Sequence, residues 1–450
     1  MKRIGLIFAF ISLISCSEDE TPSIMDQEGI DDSITFVGEV DWIRSFGGTG
    51  EETAQSIITT ADGGYAVLGY TNSLDGDISD KDTNVNDYWL LKLDVDGNLQ
   101  WNKTYGGSKD DRGQSVIQTN DGGYAIVGYA MSSDGDGSNN EGFHDNWILK
   151  LDASGEVEWE RSFGFSGHDH SYDVVQTTDG GFFFVGFLDV TSSGGAGGEG
   201  KGASTRHGVG EFWGTKLDAE GNLEWRRFFG GTNNDRAYGV VQSNDGGLVI
   251  TGSSESADFD ISGSKGSYDF WVIKVTSNGD LVWESSFGGS GIDKSYGISK
   301  TDDNSYVITG NTFSIDTDIS KNNGESDIWL VKITDSGELV WEKTFGGLAF
   351  DAAQSVNLQQ DGGFVIAGNS KSMDTDVTAN SGENDVWVIK TDKEGNLVWE
   401  KTFGGSGLDF GFDAIENRDK SIVLVGESGS TDFPDIQSKG SSDLVVIKIK

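Results

Sequence analysis

Short apolar runs separated by glycine-bearing polar turns recur along this chain in a fixed order. One unit reads Asp351-Ala352-Ala353-Gln354-Ser355-Val356, then the turn Asp361-Gly362-Gly363, then Phe364-Val365-Ile366-Ala367-Gly368. After a polar loop come Asp385-Val386-Trp387-Val388-Ile389-Lys390, the turn Glu394-Gly395-Asn396, and Leu397-Val398-Trp399-Glu400-Lys401-Thr402-Phe403-Gly404-Gly405. Runs of this length, rich in β-branched and aromatic residues and bounded by glycine turns, predict four strands, a to d. Glycine in the a–b and c–d turns supplies the positive φ of tight hairpins. The a–b turn recurs at Asp62, Asp121, Asp179, Asp245 and Asp361. Two copies depart, with Asp303-Asn304-Ser305 and Asp419-Lys420-Ser421, and those turns are expected to be looser.

All 13 tryptophans fall in two columns of this unit. Strand d carries Trp42, Trp101, Trp159, Trp225, Trp283, Trp341 and Trp399. Strand c carries Trp89, Trp147, Trp213, Trp271, Trp329 and Trp387, with Val445 in the seventh place. Successive members lie 58 residues apart, save one step of 59 in the strand d column and the step of 66 into the third copy in both columns. Seven copies of one supersecondary unit therefore fill most of the chain. Strand a has a column of small residues: Ala54, Gly113, Ser171, Ala237, Ser295, Ala353 and Gly411. Small residues on the first strand and bulky ones on the last two give the size gradient of blades set around a narrow centre. The expectation is an all-β, seven-bladed β-propeller with four antiparallel strands per blade. The first copy begins at strand d, around Trp42, and the last ends at strand c, around Val445. Pairing of those two strands would close the ring.

The composition agrees, with 66 Gly and 2 Pro. The N-terminus reads differently. Lys2 and Arg3 precede an apolar run, Ile4 to Ile14, too short to span a bilayer as a mature helix. Leu13-Ile14-Ser15-Cys16 resembles the bacterial lipobox, which implies a signal peptide over 1–15 and a lipidated Cys16. Acyl chains add about 0.8 kcal/mol of anchoring per buried methylene. Ser17 after the cysteine resembles outer-membrane sorting, and Glu18-Asp19-Glu20 resembles a surface-export signal. Residues 16–38 are acidic and aperiodic, a flexible tether ahead of the propeller at 39–450. Cys16 is the single cysteine, so the body has no disulfide support. A net charge of −42 argues against nucleic acid and against direct docking on anionic lipid.

The pattern Trp-x-[Lys/Arg]-[Ser/Thr]-[Phe/Tyr]-Gly-Gly, Asp-Gly-Gly-[Tyr/Phe], Asp-x-Trp-x-x-Lys resembles the seven-bladed propeller repeat proteins of bacterial surface lipoproteins. The resemblance spans residues 39 to 450 and implies the fold. That family has no single activity, and the Gly-His and Trp-Asp marks of WD40 blades are absent.

Familiar catalytic motifs are missing: no His-Glu-x-x-His, no Gly-x-Ser-x-Gly and no Walker loop. Three clusters carry possible chemistry. An acidic column, Glu52, Asp111, Asp169, Asp235, Asp293, Asp351 and Asp409, either rings a channel mouth or accepts backbone N–H bonds from the Gly-Gly crossover loops. Seven like charges facing inward would repel, which favours the second reading. The b–c loops carry paired acids, Asp75/Asp77, Asp134/Asp136, Asp258/Asp260, Asp316/Asp318 and Asp374/Asp376. They could ligate Ca²⁺, although EF-hand spacing is absent, and Asx turns are the alternative. The four histidines are irregular: His144 ends a b–c loop, His168 and His170 flank Asp169 in the adjoining d–a crossover, and His207 lies in the next b–c loop. With Asp169 they form a candidate transition-metal set, solvated surface histidines being the alternative. The lysine of every strand c (Lys92, Lys150, Lys216, Lys274, Lys332, Lys390, Lys448) is expected to pair with blade-edge carboxylates. No tryptophan is left over as a sugar platform, though Phe165, Phe350, Phe410 and Phe433 remain on the rim.

Together these features predict a monomeric, outer-membrane-anchored, surface-exposed propeller that binds a protein or glycan partner without catalysis and without a required cofactor. The alternatives are a carbohydrate-binding accessory of polysaccharide capture and a metal-assisted hydrolase or lyase at the blade 2–3 rim.

Overall fold

The computed structural model describes residues 35–198, 208 and 210–450. The signal segment, Cys16, most of the tether, His207 and part of the blade 3 insertion lie outside the described residues. Seven four-stranded antiparallel sheets follow one another in strand order a-b-c-d. Blade 1 consists of Glu52–Thr59, Tyr65–Thr71, Asp87–Leu93 and Leu99–Tyr105. Blades 2 to 6 begin at Asp111, His170, Asp235, Asp293 and Asp351. Blade 7 combines Asp409–Glu416, Ile422–Ser428 and Asp443–Ile449 with Val40–Phe46 from the other end of the chain. Trp42 stands opposite Lys448 and Phe46 opposite Leu444, so the ring closes through its d strand as expected.

The tryptophan columns do two jobs. Each strand c indole is fully buried, and most donate Nε1–H to a strand d acceptor: Trp89 to Asn102, Trp147 to Glu160, Trp271 to Glu284, Trp329 to Glu342 and Trp387 to Glu400. Blade 3 has Arg226 at that place, which cannot accept, and Trp213 donates instead to the carbonyl of Gly197 at 2.9 Å. Six strand d indoles lie over the c–d turn of the next blade, and Trp399 lies against Gly38, just ahead of strand d of blade 7. Gly97, at φ 77°, meets Trp42 so closely that a β-carbon would sit 2.7 Å from the ring. That position therefore needs glycine both for its backbone conformation and for the indole above it.

The strand c lysines pair with the aspartate of the a–b turn, as in Lys92–Asp62, Lys150–Asp121 and Lys274–Asp245, each at 2.9 Å. Retention of that aspartate accounts for the two irregular turns. Asn304 and Lys420 adopt φ of 62° and 63°, and their N–H groups make the same turn bond as Gly63 does. These turns keep the common form and are not looser.

The small column of strand a packs against strand b of the preceding blade instead of lining the channel. Ser171 Oγ donates to Gly128 O, and Ser295 Oγ donates to Gly252 O at 2.6 Å. In every blade the a–b register slips just after the small residue, between Ala54 and Ser56 in blade 1 and between Ser171 and Asp173 in blade 3. This bulge turns the extra residue toward the axis. The channel is consequently lined by Gln55, Gln114, Tyr172, Tyr238, Tyr296, Gln354 and Phe412, the residues next along.

Candidate metal centre on the blade 2–3 rim

Every junction between blades uses one device. The crossover from strand d to strand a turns its N–H groups inward, and the first acid of strand a accepts them. Gly48 N–H donates to Glu52, Gly107 to Asp111, Phe165 to Asp169, Gly231 to Asp235, Gly289 to Asp293, Gly347 to Asp351 and Gly405 to Asp409, at 2.7 to 3.0 Å. These seven acids are at most 1% exposed. They fasten the crossovers and form no ring in the channel. Burial pushes Asp235 up to about 6 and Asp169 up to about 7.

The paired acids of the b–c loops hold the same crossovers from outside. Asp75 accepts Thr49 N–H at 2.8 Å and Asp77 accepts Gly47 N–H at 2.9 Å. Asp134 and Asp136, Asp258 and Asp260, Asp316 and Asp318, and Asp374 and Asp376 repeat this, with 2.8 to 3.3 Å to their crossover N–H groups. Each carboxylate thus has a backbone donor before any cation is considered. Blade 3 lacks the pair. There a short helix, Val190–Ser193, capped by Asp189, takes the place beside the crossover, and Ser166 Oγ donates to Ser192 O.

On this common frame the blade 2–3 junction differs in its side chains. His144 precedes strand c of blade 2 (Asp145–Leu151), and His168 precedes Asp169 in the crossover; the two form an isolated parallel bridge. His170 opens strand a of blade 3 (His170–Gln176). Nδ1 of His144 lies 2.9 Å from Nδ1 of His168 and 3.3 Å from Nε2 of His170. One nitrogen from each ring falls within 4.8 Å of the others, the one such group of metal-ligating side chains among the described residues.

The remaining ring nitrogens of His144 and His170 face protein, whereas His168 is exposed. Nε2 of His144 is 3.8 Å from the Asp110 carboxylate, and Nδ1 of His170 is 3.2 Å from Tyr172 Oη. Such outer partners set which nitrogen is free to ligate. Burial opposes ionisation of Asp110, but His144, Asn86 and the Arg112 guanidinium hold it down at about 2. The His170 ring stacks on Tyr129 at 3.8 Å and 12°, and His168 stacks on Phe143 at 5.1 Å and 10°. Burial, and then the neighbouring His144 and His168, push His170 down to about 2, so it is a neutral donor.

Three of the five residues singled out in the sequence therefore meet. Asp169 does not join them, which corrects its reading as a ligand: its oxygens accept N–H bonds from Phe165 at 2.7 Å and Asp189 at 2.9 Å. His207 lies outside the described residues. Asp110, Tyr129 and Tyr172 were missed, because nothing in their own copies marks them until blades 1 to 3 stand side by side. Of the rim aromatics, Phe433 is buried in the core, whereas Phe165, Phe350 and Phe410 are half-buried. Below the centre, the channel residues and Asp173 line a cavity of about 180 Å³.

No family model matches the sequence. No curated protein matches it. Solved structures do resemble the chain. The WD40 domain of Pan2 from Neurospora crassa is 9% identical over 89% of this chain and 89% of that one, with a TM-score of 0.49. The β-propeller domain of the Trilobed protease from Pyrococcus furiosus is 9% identical over 91% and 94%, at 0.44. The polysaccharide lyase Uly1 is 11% identical over 95% and 94%, at 0.46. At such identity and overlap none of them carries chemistry across. The protein is a seven-bladed β-propeller by its own strand order and closure.

Proposed function

We propose that this propeller is an exported surface lipoprotein, anchored through Cys16, that holds Zn²⁺ at His144, His168 and His170 and uses it to bind an oxygen-donor ligand of a glycan or protein partner. The convergence of three imidazole nitrogens within 4.8 Å carries the reading. Three neutral nitrogen ligands leave one position of a tetrahedral zinc site open, which suits ligand capture. Tyr172 supports it by engaging the other nitrogen of His170, and the Asp110 carboxylate lies 3.8 Å from that of His144.

Metal-assisted hydrolysis or elimination is the second reading. It is favoured by that open position together with Tyr172 Oη, 3.2 Å from a ligand ring and facing the cavity.

Calorimetric titration of the metal-free chain with Zn²⁺ tests the centre. One site per chain is expected, lost in His168→Ala with His170→Ala. At about 100 times Kd the metal adds about 2.7 kcal/mol of stability, a rise in Tm that the double variant lacks. Unchanged stoichiometry and melting in the double variant would sink the centre. The anchor is tested by fractionation, where Cys16→Ser should release the body from the membrane.

A further inference from the structure

Four consecutive blades put a basic side chain at one position of strand a. Arg112, His170, Arg236 and Lys294 occupy it in blades 2 to 5, where blades 1, 6 and 7 have Thr53, Ala352 and Phe410. Each of the four lies on an aromatic ring of the blade before it or at its junction with it. The Arg112 guanidinium is 5.1 Å over Tyr70, His170 stacks on Tyr129 at 3.8 Å, Arg236 is 4.5 Å over Phe187, and Lys294 Nζ is 4.7 Å over Tyr268. A ring face beneath a cation fixes where the charge stands.

This ladder runs against the sign of the molecule, in which 74 acidic residues face 32 lysines and arginines. A cationic arc on an anionic body attracts anions at that one place and repels them elsewhere. Asp110 ion-pairs Arg112 at 2.9 Å, so Arg236 and Lys294 are the stronger attractors. Its charges stand on blades 2, 4 and 5, with the uncharged His170 of the metal centre between them, and a ligand that matches them carries repeated charges. Beside it, Tyr172, Tyr238 and Tyr296 line the channel on blades 3 to 5. Tyrosines offer ring faces and hydroxyls together, which suits sugar rings. The cavity, about 180 Å³, falls below the roughly 300–1,000 Å³ that encloses a drug-sized ligand. It admits a single ring or terminal group, and a chain must lie across the rim.

We infer that the arc of blades 2 to 5 binds an anionic polysaccharide, bearing carboxylates or sulfates, laid along Arg112, Arg236 and Lys294 over the histidine centre. The inference rests on the rim-centre reading for where the chain is held, but its charge recognition needs no metal.

The test is calorimetry of the full chain with oligogalacturonate, dextran sulfate oligomers, neutral dextran and an oligothymidylate, each with zinc and with EDTA. One or both acidic glycans should bind and weaken with added salt, and dextran should not bind; the two acidic arms separate carboxylate from sulfate. Arg236→Ala with Lys294→Ala should lower the affinity at least tenfold, with Tm and zinc stoichiometry unchanged. Lys343→Ala with Lys401→Ala, on the outer strands, should leave it as it was. Equal binding of dextran, equal or tighter binding of the oligothymidylate, or undiminished affinity in the Arg236/Lys294 variant would each overturn the inference. Glycan binding that persists in EDTA and still depends on Arg236 and Lys294 supports the arc even if zinc fails to bind the histidines. Normal zinc binding without glycan binding overturns the arc alone.

Discussion

At the blade 5–6 junction Ser326 and Phe350 form an isolated parallel bridge, and at the blade 2–3 junction His144 and His168 form the same one. In both, the following acid, Asp351 or Asp169, is buried and accepts an N–H from the crossover. The backbone is shared, and the difference lies wholly in side chains that the frame leaves free. Blade 5–6 spends its acid on three donors, Gly347 N–H and the hydroxyls of Ser370 and Ser372. Blade 2–3 lacks the serines and carries three imidazoles above its acid. A repeat can therefore vary chemistry at one junction without changing the ring, provided the buried acceptor stays.

The largest blow to both junctions is deletion of Val40–Phe46. It removes strand d of blade 7, so cooperative unfolding should be lost, as read by denaturant titration with two probes. A truncated chain that melts as sharply and as hot as the full one would contradict closure. Next, Asp351→Ala should cost about 3 kcal/mol or more, because several buried donors lose their acceptor at roughly 1–3 kcal/mol each. Asp169→Ala strands only two N–H groups, at Phe165 and Asp189, and should cost less in the same urea assay. Equal losses would show that the serines contribute nothing.

Grafting sharpens the contrast. Ser326→His, Phe350→His and Ala352→His place imidazoles at the equivalent positions of blade 5–6. A second zinc should bind, about 10–100-fold more weakly, because Ile292 stands where Asp110 supports His144. Absence of any second site would mean that the frame alone does not aim the rings.

Smaller again is the pH response. Burial raises Asp87, Asp145, Asp235 and Asp327 to about 6, from 3.8. A carboxyl with a raised folded pKa gives stability that is complete below 3.8 and lost as pH rises through about 6. Burial also opposes ionisation of Asp62 and Asp121, but hydrogen bonds from Lys92 with Thr60, and from Thr119 with Lys150, hold them down at about 2. Their contribution is present above 3.8 and lost as pH falls through about 2. Tm should therefore peak near pH 4 and fall from there to about pH 6 to 7, where Asp169 also ionises; a Tm that rises between about pH 4 and 7 would refute this. The smallest effect is Lys420→Gly, which relieves a left-handed residue and should gain up to about 1 kcal/mol in thermal unfolding.

Much of this was legible beforehand, and the reasons are local. The a–b and c–d turns announce themselves through Asp-Gly-Gly and x-Gly-Asn, because a positive φ restricts residue choice. His168 and His170 stood out as irregular in an otherwise regular repeat. Asp169 misled, since a carboxylate between two histidines looks like a ligand until its oxygens are seen on N–H groups. The ladder of Arg112, His170, Arg236 and Lys294 occupies one repeat position in four consecutive copies, and aligning the copies for charge would have found it.

By itself the sequence determined the strands, their number and the closure, because hydrophobic spacing and turn chemistry act within one unit or between identical units. Only the tertiary structure decided which polar groups face each other. Asp110 stands in a crossover, His144 at the end of a b–c loop and His170 at the start of a strand, and the bulge that turns Tyr172 to the channel exists only once strand b fixes the register. Contacts between blades depend on rotation about the ring axis, and no periodicity along the chain encodes which side chains that rotation brings together.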